Sequence, residues 1–430
     1  VSTYWIQTLG CPKNQVDSDK LVGVMAADGL QPARRVEDAD VVVINTCAFI
    51  EEARQESIEA ILEAEQTRRP GAELVVTGCL AERYGDELAA SLPEVDRVAP
   101  FGVPVTLGPT RDGQPRSRFD LLELPRPRAS SPWAYVKIAE GCDRHCGFCA
   151  IPSFRGKQRS RSMESILAEV EALEVSEVVL VAQDLASYGR DQGRGGRRIV
   201  PLVREVADRV AWVRLLYLYP SDLTDDLIDT ILATGVDYFD LSLQHVSPPL
   251  MRRMRRWGDG DRFLRRIVDI RARDADATFR SNFIVGYPGE REEDHDALLR
   301  FVEEARLDWC GFFAYSEEAG TFGATLDGTV APGLISERLA ELRELQDRIT
   351  AEKRAALIGR NMTVLVDEPG QARSAGEAPE IDGVITVDES LDVGSFPIVR
   401  IIEAEGPDLV GEPPAADHAD RVSPRPEERS

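Results

Sequence analysis

The stretch Glu140-Gly-Cys-Asp-Arg-His-Cys-Gly-Phe-Cys-Ala-Ile-Pro152 places Cys142, Cys146 and Cys149 in the spacing Cys-x3-Cys-x2-Cys. A cubic iron–sulfur cluster has four iron corners. Three thiolates cap three of them and leave the fourth open to a small-molecule ligand. A cluster that only carries electrons would bring a fourth thiolate, and a structural zinc site would bring a fourth ligand. The zinc alternative must recruit His145, which directly precedes Cys146 and is poorly placed to share a tetrahedron with it. The spacing points to a cluster with one reactive corner.

Cys11, Cys47 and Cys79 are far apart in sequence, yet each follows an apolar run that reads as a buried strand: Thr3–Leu9, Val41–Ile44 and Leu74–Thr77. The carboxyl ends of strands in an open parallel sheet line one edge, where such folds bind ligands. Three cysteines placed that way could converge as a second three-thiolate set; the plainer reading is three unrelated buried cysteines. Cys310, beside Trp309 at the start of a strand, reads as a core residue.

The elements that must position these residues describe an α/β chain. From 1 to 125, strand–helix alternation argues a Rossmann-like parallel sheet with helices on both faces. In the helix after Cys47, Ile50, Ala53, Ser57, Ile58 and Ile61 fall on one side. Pro109–Pro127, rich in Pro and Arg, reads as a linker with some hairpin character. From 126 to 335 six strand candidates follow: Ala134–Ile138, Val178–Ala182, Val213–Leu218, Tyr238–Leu243, Phe279–Val285 and Gly311–Tyr315. Amphipathic stretches such as Met163–Leu173 and Asp294–Ala305 separate them, and six βα units fit an open, partial TIM-like (β/α)6 barrel. Leu173-Glu174-Val175-Ser176 passes from helix to strand without the helix-ending Gly expected there. A linking helix is expected at 336–360. Met362–Val366, Gly383–Val387 and Pro397–Ile402 predict a small, OB-like β-barrel over 361–412, and 413–430 reads as a disordered tail.

The 430 residues suffice for two or three cores, no apolar run approaches membrane-spanning length, and the start carries no signal-peptide pattern. Seven cysteines is an odd count, not arranged like a secreted disulfide framework, so reduced thiols and a cytoplasmic location are expected. A net charge of -24 disfavours tight non-specific binding to nucleic acid and favours a basic partner.

The Cys142–Cys149 loop resembles the signature of radical S-adenosylmethionine (SAM) enzymes, whose open iron binds the amino and carboxylate groups of SAM. With the second trio and the terminal β-barrel, nearly the whole chain resembles the radical SAM methylthiotransferase family. The resemblance implies that Cys11, Cys47 and Cys79 ligate an auxiliary [4Fe–4S] cluster. Cys142, Cys146 and Cys149 would ligate the SAM-binding [4Fe–4S] cluster in a radical SAM barrel, followed by a C-terminal TRAM domain. Thr8-Leu-Gly-Cys-Pro-Lys-Asn14, Val16-Asp17-Ser18, Ile151-Pro-Ser-Phe-Arg-Gly156, Arg159-Ser-Arg161, Ala182-Gln-Asp184, Tyr188-Gly189 and Leu243-Gln-His245 look like the branch that modifies a ribosomal protein. The tRNA-modifying branch typically reads Gly-Cys-Gln-Met-Asn at the first of these. Ser242 stands where the family usually has Pro.

The reaction implied uses SAM twice, once to methylate a sulfur at the auxiliary cluster and once as the source of a 5′-deoxyadenosyl radical. The product is a methylthio group on the β-carbon of an aspartate in small-subunit ribosomal protein number twelve, a basic partner; tRNA adenosine is the alternative substrate. An electron donor such as flavodoxin or ferredoxin is implied as well.

Further candidates lie at the strand ends. Gln183 and Asp184 end the second barrel strand, on the face where TIM-type barrels place their sites. By resemblance they sit where radical SAM enzymes contact the methionyl amino group. Gln244 and His245 end the fourth strand and could face SAM or substrate. Gly286 and Gly289, in Phe283-Ile-Val-Gly-Tyr-Pro-Gly-Glu290, would let backbone approach the adenosine. Phe148, between two candidate ligands, would shield the cluster. For each, an ordinary turn, strand-end or packing role is the competing reading. The run Arg252-Arg-Met-Arg-Arg256 reads as a solvated helix face. From Asn361 onward, 16 acidic and 5 basic residues leave a net charge of -11, which would repel a phosphate backbone and suit a basic protein.

Overall fold

The computed structural model describes residues 2–105, 119–193 and 198–414. Residues 109–118 of the linker and 415–430 of the tail expected from sequence lie outside the described residues.

The N-terminal unit is a five-stranded sheet built from β1 (Thr3–Thr8), β2 (Gln31–Pro32), β3 (Val41–Thr46), β4 (Glu73–Gly78) and β5 (Arg97–Ala99). The strand order is β2-β1-β3-β4-β5, and every pairing is parallel. Helices α1 (Pro12–Ala27), α2 (Glu51–Thr67) and α3 (Cys79–Ser91) make the crossovers. The buried stripe of α2 is Ser57, Ala60, Ile61 and Ala64, one turn further along than the stripe drawn through Ile50 and Ala53.

The central unit follows. It opens with β6 (Trp133–Lys137), the short antiparallel pair β7 (Ala139–Glu140) and β8 (Arg159–Ser160) flanking α4 (Ile151–Phe154), then α5 (Met163–Leu173). It continues through β9 (Glu177–Val181), α6 (Ile199–Ala207), β10 (Trp212–Leu215), α7 (Asp225–Ala233) and β11 (Tyr238–Gln244). Then come α8 (Pro248–Arg253), α9 (Gly260–Arg273), β12 (Thr278–Val285), α10 (Glu292–Ala305), β13 (Trp309–Ala314) and α11 (Pro332–Ala355). β6, β9 and β10 form one parallel trio and β11, β12 and β13 another; a single parallel bridge, Leu218 to Leu241, joins them into an open barrel. The helix-to-strand step after α5 is made by Glu174 in the left-handed conformation (φ 52°), the position a Gly would usually take. Helix α11 begins at Pro332, four residues before the linking helix expected from sequence. It buries Leu339, Leu342 and Ile349 in the barrel core, so it is the sixth barrel helix as well as a connection.

The last unit is a six-stranded curled sheet of β14 (Asn361–Thr363), β15 (Leu365–Glu368), β16 (Gln371–Arg373), β17 (Ile385–Thr386), β18 (Ile398–Glu405) and β19 (Asp408–Glu412). Val364, Val366, Ala372, Ile385, Val399, Ile401 and Leu409 fill its interior. Its loop 374–382 stops the barrel from below, near the amino-terminal ends of the strands. Arg214 donates to the Ala375 carbonyl (2.8 Å), Trp309 Nε1 to the Gly376 carbonyl (2.8 Å) and Tyr135 Oη to the Pro379 carbonyl (3.0 Å). Asp382 pairs with Arg280 and accepts from Tyr238 Oη (2.5 Å). Fully buried Glu177 is shared by Arg214 and Arg373, each at 2.8 Å. The N-terminal sheet covers the opposite, carboxyl rim. Among the described residues no helix is long and apolar enough to cross a membrane.

Candidate functional site

Each of Cys11, Cys47 and Cys79 emerges just past a parallel strand. Cys11 caps α1, Cys47 follows β3, and Cys79 opens α3 directly after β4. The approach is close enough to require glycine at two points. Gly10 has φ 94°, and a Cβ there would sit 2.8 Å from Cys47 Cβ; Gly78 has φ 88°, and its Cβ would fall 2.5 Å from the Thr46 carbonyl. Asn14 ties two of the strand ends together, its amide donating to the Leu9 (2.9 Å) and Thr46 (3.0 Å) carbonyls. Ser57 Oγ accepts the Cys47 N–H at 3.0 Å.

The thiols are near enough to feel one another. Burial pushes Cys47 up to about 12, with Cys79 and Cys11 adding to the rise. Burial likewise raises Cys79, with Cys11 contributing. Cys11 goes the other way: burial opposes, but the charges of Lys13 and Arg155 and the N–H groups of Asn14 and Lys13 hold its thiol below the ordinary range.

The second trio occupies the loop between β7 and α4. Cys142 is pushed up to about 11 and Cys149 to about 12, mainly by burial; Cys146 adds to both, and Cys142 adds to Cys149. The loop is fixed by backbone bonds from Cys142 N–H to the Gly156 carbonyl (3.1 Å) and from Gly147 N–H to the Met254 carbonyl (2.7 Å). His145 is exposed. Among the described residues no three His, Cys, Asp or Glu side chains close on a single metal ion. Thiolates that cap a cubic cluster each bind a different iron and stand further apart than ligands of one ion.

One buried charged network stands between the trios. Arg155, at the end of α4 and 7% exposed, donates Nη2 to Cys79 Sγ (3.0 Å) and Asn14 Oδ1 (2.6 Å) and Nη1 to Glu140 (2.9 Å). Lys137, fully buried, pairs with Asp17 and with Glu140 (2.8 Å). Against the cost of burial, Arg155 and Lys137 hold the Glu140 carboxyl well below the usual carboxylate range. Gln183 Nε2 donates to Glu140 at 2.8 Å, so the second barrel strand is tied through Glu140 and Arg155 to the Cys79 thiol.

The remaining sequence candidates are distributed around the barrel mouth. Gln183 Oε1 and Asp184 Oδ1 are buried without a hydrogen-bond partner among the described residues. The other Asp184 oxygen accepts from Arg144 Nε at 2.6 Å. Phe148 packs against Leu250, Met254 and Tyr287 beside the cysteine loop. Gln244 ends β11 with φ 73°, a conformation that a non-glycine residue holds only under constraint. Gly286 has φ 85°, and the space a Cβ would take is filled by Ile335 of α11; at Gly289 it is filled by Arg253. His245 is fully buried, accepts the Ser247 N–H at 3.1 Å, and is pushed down to about 4 by burial. Cys310 packs at the edge of the barrel core.

Sequence reasoning missed Lys137, gave Glu140, Arg155 and Asp17 no role beyond motif letters, and misread Arg256. That arginine is not part of a solvated helix face: α8 stops at Arg253, and Arg255 turns left-handed (φ 54°). Arg256 then swings inward to donate to Cys146 Sγ (3.4 Å). Lys13 was visible only as a motif letter. Its ammonium lies 3.3 Å from the centroid of Tyr217, a residue at φ 66° whose N–H is held by buried Asp240 at 2.9 Å.

Residues 3–100 match the uncharacterized protein family UPF0004, residues 136–302 the radical SAM superfamily and residues 358–413 the TRAM domain. Over the whole length the chain is 41% identical to a ribosomal protein uS12 methylthiotransferase RimO from Sorangium cellulosum, covering 95% of this chain and 93% of that protein. It is 40% identical to the RimO of Desulfitobacterium hafniense, over 95% and 97%. The chain belongs to the RimO family. It is a radical SAM methylthiotransferase, and membership of that superfamily brings with it SAM and a [4Fe–4S] cluster. The residues present fit such a group. Three thiols sit on one loop, a guanidinium donates to one sulfur, and unpartnered buried oxygens belong to Gln183 and to Asp184, whose other oxygen accepts from Arg144 of that loop.

Proposed function

We propose that this chain adds a methylthio group to the β-carbon of an aspartate in ribosomal protein uS12. Cys142, Cys146 and Cys149 hold the SAM-binding [4Fe–4S] cluster in this reading, and Cys11, Cys47 and Cys79 hold an auxiliary [4Fe–4S] cluster. The observation that carries it is the Arg155 bridge. Two three-thiol sets from separate domains stand on either side of one buried network, with Arg155 on Cys79 and Glu140 on Gln183. In this reading the division of labour runs along limits near residues 125 and 361, with α11 counted as part of the barrel.

The clusters and SAM supply the one-electron chemistry that opens an unactivated C–H bond. The chain's own residues position and exclude. Phe148, Gln183, Asp184, Gln244 and Gly286 form the SAM neighbourhood of this reading, with the free oxygens of Gln183 and Asp184 available to the methionyl amino group. Arg155 and Arg256 put positive charge against one sulfur of each set, Cys79 and Cys146. Lys13, beside Cys11 and held over Tyr217, is the cation that meets the target carboxylate. Among the described residues, its ammonium has no carboxylate partner within ion-pairing distance.

The last domain supports a basic protein rather than RNA. Glu368, Glu380, Asp388, Glu389, Asp392, Glu403, Glu405, Asp408 and Glu412 are exposed there, against Arg400 as the exposed cation among described residues 361–414. Removing that domain is a poor test of docking, because it would uncover Glu177, Arg214, Arg280 and Trp309 at the barrel floor. Reversing the charge of Glu403, Glu405 and Asp408 should instead weaken uS12 binding and flatten its salt dependence, read by titration at two ionic strengths. The deciding experiment is mass spectrometry of uS12 and of tRNA from cells lacking this protein. Loss of the uS12 modification with tRNA unchanged is expected. The reverse pattern would make tRNA the substrate.

A further inference from the structure

The arginine run that ends α8 and continues past it has an outer face that the proposed site does not absorb. Residues 251–257 form a single layer over the cysteine loop. On the inner side, Met251 and Met254 are buried, and the Met254 carbonyl accepts the Gly147 N–H at 2.7 Å. The Arg253 carbonyl accepts from Tyr287 Oη at 3.3 Å, and Arg256 reaches Cys146 Sγ at 3.4 Å. On the outer side Arg252, Arg255 and Trp257 are exposed, the indole at 43%. Arg255 lies over the Phe322 ring (3.6 Å), and among the described residues neither it nor Arg252 has a carboxylate partner. In a chain of net charge -24, this is a basic, aromatic spot one residue thick above a sulfur ligand.

We propose that the outer face of Arg252, Arg255 and Trp257 is the docking site of an acidic one-electron carrier protein, of the flavodoxin or ferredoxin kind. The inference rests on Cys142, Cys146 and Cys149 holding a redox cluster. One electron leaves the carrier's reduced flavin or iron–sulfur centre and enters that cluster; no bond is made or broken in the transfer. Opposite charge steers the carrier to this spot on a molecule that otherwise repels it, and the thin covering keeps the two centres close. A basic substrate such as uS12 would be turned away from the same spot. An RNA phosphate backbone would fit the charge but gains nothing from the nearness to Cys146.

The test compares full-length, cluster-loaded wild type with the Arg252→Glu/Arg255→Glu double variant. 5′-Deoxyadenosine formation is driven either by a reduced flavodoxin or by dithionite, which needs no docking site. Carrier-driven cleavage should fall by at least about tenfold and lose its salt dependence. Dithionite-driven cleavage and iron content should stay at the wild-type level, and Trp257→Ala should give a smaller loss in the carrier arm alone. Equal losses with both reductants would make the patch structural and overturn the proposal. So would full carrier-driven activity in the double variant, with or without a lost affinity for a ribosomal RNA fragment. A wild type that cleaves no SAM with dithionite would instead remove the cluster assignment, and this inference with it.

Discussion

The two cysteine sets are built in opposite ways. Cys142, Cys146 and Cys149 lie within eight residues on one loop, and their arrangement is carried by that loop's own backbone bonds. Cys11, Cys47 and Cys79 come from three separate strand ends, and glycines at 10 and 78, Asn14 and Ser57 hold those ends together. The charged groups differ too. Arg155, at the scattered set, is sealed in a network that spans two domains; Arg256, at the compact set, is half-buried beneath a solvent-facing layer. A compact set next to the surface suits exchange with an outside reductant. A scattered set locked at a domain junction suits fixed geometry against a substrate.

The largest effects separate the sets by function. Cys142→Ala should abolish both SAM cleavage and product. Cys47→Ala should abolish methylthio transfer while leaving some 5′-deoxyadenosine, read by chromatography and product mass. Full methylthiolation by the Cys47 variant would break the comparison by removing the second cluster.

Next come the two arginines. Arg155→Met leaves half-buried Glu140 and buried Asp17 short of a cation, and breaking a buried pair in this way costs roughly 3–5 kcal/mol. Thermal unfolding should shift down strongly and the auxiliary iron should be lost. Arg256→Met should change Tm far less. Equal shifts would mean that both sets depend on the domain junction alike.

Lys13→Met sharpens the comparison on the substrate side. Affinity for uS12 should fall about tenfold, about 1.4 kcal/mol, while binding of uS12 with the target aspartate changed to asparagine is affected much less. Lys13→Arg should preserve the preference for aspartate. The smallest effect belongs to His145→Ala: iron content and turnover should match wild type, and loss of bound metal would revive a four-ligand site.

Much of this was legible in the sequence because the signals are local. The Cys-x3-Cys-x2-Cys spacing and the six apolar runs of the barrel can each be read within a dozen residues, and every expected barrel strand appears within a few residues of its place. The position of Cys11, Cys47 and Cys79 after strands was legible for the same reason. The Asp17–Lys137 and Arg155–Cys79 contacts span 120 and 76 residues of chain, so no local periodicity announces them. In the last domain β16 is three residues long, too short for an alternating pattern, and β19 is flanked by acidic residues that read as turn or tail. The inward turn of Arg256 depends on one left-handed residue, Arg255, which nothing in its side chain favours.

Loop 374–382, which stops the barrel from below, also fixes the order in which the molecule can be completed. Glu177, Arg214, Tyr238 and Arg280 belong to strands in the middle of the chain, yet their partners Arg373, Ala375 and Asp382 are made about 100 to 200 residues later. Until those residues are made, Glu177 has Arg214 alone as a counterpart, Arg280 lacks Asp382, and the floor of the barrel is uncovered. Contacts so distant along the chain slow the final closure. The nascent barrel therefore stays open at its floor until residues 373–382 have been made.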